Sequence, residues 1–84
     1  MTKSQFIAQI DTLQQQLPRW EIVADKEVFS DFAIGCFYDE DTKTWKVYMN
    51  HERGWHSIRL VTDSEEEAFG RLYSLVNFEI ENNR

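Results

Sequence analysis

The stretch Phe32-Ala33-Ile34-Gly35-Cys36-Phe37-Tyr38, the turn Asp39-Glu40-Asp41-Thr42-Lys43, and the run Thr44-Trp45-Lys46-Val47-Tyr48-Met49-Asn50 decide the fold. Phe32, Ile34, Cys36 and Tyr38 alternate with Ala33, Gly35 and Phe37. Beyond the turn, Trp45, Val47 and Met49 alternate with Lys46, Tyr48 and Asn50. Aromatic and β-branched residues at period two are a strand pattern. The turn is short, so the two strands are expected to be antiparallel neighbours. Pairing Tyr38 with Trp45 sets Cys36 against Val47 and Ile34 against Met49, which gathers the apolar residues on one face.

Outward from this hairpin the chain repeats the theme. The turn His51-Glu52-Arg53-Gly54 leads to a strand in which Ile58 and Leu60 alternate with Ser57, Arg59 and Val61. Gly54 is the residue expected to take positive φ there. Pairing Asn50 with Trp55 would set Val47 against Ile58 and Trp45 against Leu60. Upstream, Trp20, Ile22 and Ala24 alternate with Glu21, Val23 and Asp25, a further strand. Phe6, Ile7, Ile10, Leu13 and Leu17 recur at helical spacing, with Thr2 or Ser4 as cap, and Pro18 ends the helix. At the other end, Ser64 and Glu67 form a capping-box pattern, and Ala68, Phe69, Leu72, Leu75, Val76 and Ile80 follow at helical spacing.

The order α-β-β-β-β-α predicts one α+β domain over residues 1–84. Its expected form is a four-stranded antiparallel meander with the N- and C-terminal helices packed on one face. The other face would stay open, carrying Ala33, Gly35, Phe37, Lys46, Tyr48, Asn50, Trp55, Ser57, Arg59 and Val61.

The chain has 84 residues, 14% of them aromatic, and a formal charge of −6. That length excludes dinucleotide-binding folds and (β/α)₈ barrels. One cysteine, Cys36, permits no internal disulfide. The N-terminal stretch lacks a signal-peptide pattern, and no apolar run is long enough to span a membrane. A cytoplasmic location is the expectation. The charge is unevenly spread: −3 over residues 29–43, +2 over 44–62 and −4 over 63–84. Two acidic clusters therefore flank a mildly basic, aromatic sheet segment.

No residue set declares a chemistry. Cys36 lies mid-strand among apolar neighbours, where a thiol is inert rather than nucleophilic. His51, His56 and Glu52 lack a recognised metal-ligand spacing. The D-x-D-x-T run from Asp39 resembles a phosphatase nucleophile loop, but it occupies a hairpin turn and the chain has no room for the fold that loop requires. It also lacks the glycine and distal glutamate of a calcium loop. Neither cofactor nor metal is expected, and the chain reads as a non-enzyme.

A protein-binding surface fits best. Tyr48, Arg53, Trp55 and Arg59 are residue types that anchor interfaces. Asp39, Glu40, Asp41, Glu65 and Glu66 would steer a basic partner. The acid excess opposes nucleic-acid binding, although aromatics interleaved with Lys46 and Arg59 would suit a small adaptor or phage-related regulator. A second copy of the chain is another cover for an open aromatic face.

The order Trp45-x-Val47-Tyr48, then Glu52-Arg53-Gly54, then Ser64-Glu65-Glu66-Glu67-Ala68-Phe69 resembles a family of small immunity proteins from bacterial polymorphic-toxin systems. The likeness covers residues 34–76. It implies a cytoplasmic protein that neutralises a cognate toxin by covering it, and it assigns no site residue.

Overall fold

A computed structural model describes residues 1–82. Helix α1 spans Lys3–Gln16, strand β1 Glu21–Val23, β2 Ala33–Asp39, β3 Thr44–Asn50, β4 His56–Thr62 and helix α2 Glu65–Asn82. A 3₁₀ turn over Glu52–Gly54 joins β3 to β4. The fold is α+β, with a four-stranded sheet ordered β1-β2-β3-β4 between the two helices in sequence.

Both helices are fixed by their first turns. The Thr2 hydroxyl accepts from the Gln5 N–H, and the Gln5 side chain accepts from the Thr2 N–H. This reciprocal box satisfies two amides that a helix start leaves without partners. At α2 the Glu67 N–H donates to Ser64 Oγ at 3.1 Å. Phe6, Leu13 and Leu17 from the first helical segment meet Ala68, Phe69, Leu72, Val76 and Ile80 from α2 in one core. Ile34, Cys36, Val47 and Met49 complete it, so both helices lie on the same side of the sheet. Among the expected core residues of the two helices, Ile7 is exposed.

The β2–β3 register is the expected one: Tyr38 pairs with Trp45, Cys36 with Val47 and Ile34 with Met49. Lys43, at φ 59°, supplies the left-handed residue that closes this turn. Its N–H donates to the Asp39 carbonyl at 2.8 Å.

Two expectations are corrected. First, the sheet is mixed rather than an antiparallel meander, because β1 runs parallel to β2 with Ile22 opposite Ile34. A parallel pair cannot be closed by a hairpin, so residues 24–32 must cross over. They cross on the face away from the helices, as their bonds to Tyr48 and Asn50 show. Second, the β3–β4 register is shifted. Val47 pairs with Leu60, Trp45 with Thr62 and, past a bulge, Tyr48 with Ile58. The extra residue on β4 turns Ile58 onto the outer face, where it is exposed, and brings Ser57 opposite Met49. In the β3–β4 turn Arg53 takes a left-handed conformation, at φ 64°.

The crossover closes part of the face expected to be open. Tyr48 Oη donates to the Lys26 carbonyl at 2.7 Å and accepts from the Val28 N–H at 3.1 Å. Asn50 Nδ2 donates to the carbonyls of Val28 and Ser30 at 2.8 and 3.0 Å. A loop laid on a sheet would otherwise bury backbone groups without partners. Ala33, Gly35, Tyr48 and Asn50 are consequently buried.

The free edge of β1 is served by one side chain. Gln14 Nε2 donates to the Trp20 carbonyl at 2.6 Å, and Gln14 Oε1 accepts from the Ile22 N–H at 3.1 Å. A single amide thus takes the place of a neighbouring strand.

Candidate protein-binding surface

The topology unites the two acidic clusters. Asp39 pairs with Thr44, and Thr62 pairs with Trp45. The β2–β3 turn and the start of α2 therefore lie at the same end of the sheet. Asp39, Glu40 and Asp41 stand there with Asp63, Glu65, Glu66 and Glu67. The cations of the β2–β3 hairpin at that end are Lys43, in the turn, and Lys46, on β3.

Within this acidic end the side chains have distinct duties. Asp39 Oδ2 accepts from Lys46 Nζ at 2.7 Å, and its Oδ1 accepts from the Asp41 N–H at 2.9 Å. The lysine bond, and after it the amide, hold the Asp39 carboxyl below its ordinary value of 3.8. Glu65 is half-buried and accepts from the Lys3 N–H at 3.2 Å, tying the starts of the two helices together. Glu40, Asp41, Glu66 and Glu67 are exposed. Glu65–Glu67 also occupy the first turn of α2, where the helix dipole favours anions.

The remaining expected anchors divide. Tyr48 is 0% exposed. Its hydroxyl is spent on the crossover, and burial pushes it up to about 12 despite the opposing Val28 N–H. It belongs to the core of the outer layer and not to a binding surface. Trp55 is 74% exposed, and Arg53 and Arg59 are exposed. Arg59 lies at the β4 bulge.

Exposed besides Trp55 are Val61, expected on the open face, and Phe29 and Ile58, which the expected face omitted. Phe29 is 65% exposed, Val61 53% and Ile58 44%. Phe29 stacks on the His56 ring at 4.6 Å, and His56 stands two residues from Ile58 on the same face. The His56 ring is itself held: Nδ1 meets Asn50 Oδ1, and Nε2 meets Glu27 Oε2 at 3.0 Å. Phe29, Ile58 and Val61 thus share the outer face beside β4, and Trp55 is exposed just before the strand begins. Phe29 carried one sequence signal, a second aromatic beside Phe32 in the charged segment between β1 and β2.

Compared with protein-family models, curated proteins and solved structures, the chain matches none.

The residues weighed for nucleophilic or metal chemistry stand apart from one another. Cys36 is buried beneath the helices; burial first, then the charges of Asp25 and Glu65, push its thiol up to about 12. His51 meets the Trp20 ring edge-to-face at 5.6 Å, while His56 sits on the outer face. Among the described residues no group of three His, Cys, Asp or Glu side chains is placed to hold a metal ion, and no helix is long and apolar enough to cross a membrane. One expected result follows. A thiol reagent at pH 8 should leave Cys36 of the folded protein unlabelled and label it fully in denaturant, because only the thiolate reacts. Rapid labelling without denaturant would contradict this burial.

Proposed function

We propose that this protein is a non-enzymatic protein-binding domain whose partner is basic. The observation that carries the reading is the union of two acidic clusters, distant in sequence, at one end of the sheet. Such a concentration of one charge speeds encounter with an oppositely charged protein. Exposed Trp55, Arg53 and Arg59 offer the anchoring residue types. In its most specific form the domain is a cytoplasmic immunity protein that neutralises a cognate bacterial toxin by occlusion, as the likeness over residues 34–76 suggests.

The test is co-expression with a toxin-like protein encoded beside this chain's gene. A complex that survives gel filtration and silences the toxin is expected. Reversing Glu40, Asp41, Glu66 and Glu67 to lysine should slow association by about tenfold or more at low salt and much less at high salt. Absence of any complex, or an association rate indifferent to these four charges, would defeat the proposal.

A further inference from the structure

The crossover is fastened to the sheet by side chains, and one of them carries a titratable ring. His56, the first residue of β4, meets the crossover on the outer face. Its side chain is 16% exposed. The ring packs against Phe29 of the crossover at 4.6 Å and Tyr48 of β3 at 5.0 Å, so it cannot swing aside freely. Neither the acidic end nor the exposed anchors make use of it.

What each ring nitrogen meets is fixed by its partners. Asn50 Nδ2 donates to the Val28 and Ser30 carbonyls, so the oxygen of the same amide is the atom left to face His56 Nδ1. Turning the amide over would set that oxygen against two carbonyls. An amide oxygen only accepts, and so does the ionised Glu27 carboxylate that Nε2 meets at 3.0 Å. Both ring nitrogens therefore face acceptors. A neutral imidazole carries one N–H and serves one of them, while the other contact sets two lone pairs together. Imidazolium carries two N–H groups and serves both.

The charges around the ring are few. Glu27 faces it from the crossover. Tyr48 faces it from β3, with its hydroxyl bonded to Lys26 and Val28 and subject to the charges of Glu21 and Glu27. Asp25 pairs with Lys3, and the Lys26 side chain is exposed. Glu52, Arg53 and Arg59, on either side of His56 in the chain, are exposed as well.

We infer that His56 is a proton-operated latch: its imidazolium form holds the crossover on the sheet, and loss of the ring proton loosens it. The charged ring joins β3, β4 and the crossover through Asn50 and Glu27. The neutral ring gives up one of these two bonds. Without the first, the amide that carries the Val28 and Ser30 carbonyls loses its own support. Without the second, the crossover loses a charge-assisted bond. Docking thus favours proton uptake, so the stability it brings is present at low pH and is lost as pH rises through the histidine range. The outer face depends on it, because docking is what sets Phe29 beside Ile58 and Val61. The latch is independent of any partner at the acidic end.

The test is a nuclear magnetic resonance titration of the full chain from about pH 5 to about pH 8, with urea denaturation at both limits. The ring nitrogens of His56 report its proton. The Val28 backbone amide and the Asn50 side-chain amide report the docked crossover. Their signals should move together. Glu27→Gln is the decisive variant, since a glutamine amide can turn to accept from a ring N–H or to donate to a bare ring nitrogen. The ratio of the parent's folding constant to that of Glu27→Gln should be about fivefold or more larger at the lower limit than at the upper. A ratio that does not change with pH overturns the latch. So does a neutral His56 ring at the upper limit with the Val28 and Asn50 signals unmoved.

Discussion

Gly35→Val is expected to leave the protein largely unfolded, or to lower its melting temperature by about 10 °C or more. The cause is steric. A Cβ at residue 35 would lie 2.4 Å from Tyr48 Oη and 2.6 Å from Tyr48 Cζ. The Tyr48 ring cannot swing aside cheaply, because its hydroxyl is bonded to both Lys26 and Val28. Overpacking of this kind costs about 1–3 kcal/mol, and displaced hydrogen bonds add about 1–3 kcal/mol more. A domain this short has only about 3–5 kcal/mol to lose. Gly70 is the natural control, since nothing lies within 4 Å of a Cβ there. Gly70→Ala sits inside α2 and should stabilise the protein by up to about 1 kcal/mol. The steric account also predicts that Gly35→Ala costs less in a Tyr48→Leu background than in the parent. Thermal melts followed by circular dichroism decide the matter, and an unchanged melting point for Gly35→Val would refute the clash.

Asn50→Ala is the second large effect. Asn50 is 1% exposed, and its amide serves two crossover carbonyls while its oxygen meets His56. Truncation removes the donor shared by the Val28 and Ser30 carbonyls, which are part-buried, and empties the buried space of the Asn50 side chain, at a cost of about 1–3 kcal/mol. Asn50→Asp should be worse, because a carboxylate would face two carbonyl oxygens with no proton to give. Urea denaturation should show a markedly lower midpoint in both variants. A parent-like midpoint in Asn50→Ala would mean that the crossover does not depend on this side chain.

The same two residues show which parts of the fold were legible in the sequence. The β2–β3 hairpin could be read in full, because period-two runs meet across a short polar turn and one register alone gathers Ile34, Cys36, Val47 and Met49. Both helices could be read from spacing and caps. The direction of β1 could not. Its three residues look the same in either direction, and residues 24–32 have the composition of any exposed loop. Tyr48 and Asn50 therefore looked like surface residues, although they are the polar groups that allow a loop to be buried. The β3–β4 bulge was hidden for a similar reason: a one-residue slip moves Ile58 outward without leaving a compositional trace. As for the candidate surface, the acidic residues were legible as types, but their union at one end depended on tertiary pairing. The apolar patch of the outer face depended on the bulge and the crossover, so Phe29 and Ile58 were missed.

The crossover has a dynamic consequence. Residues 24–32 are held to the outer face chiefly by side chains of β3 and β4 and not by a ladder of their own. Their amides gain little protection from neighbours along the segment, so hydrogen exchange should report this stretch as one unit that opens below the free energy of global unfolding. Each opening would carry Phe29 away from His56. The outer apolar patch would then lose Phe29 while Ile58 and Val61 stayed in place, giving the surface a rigid part and a part that comes and goes.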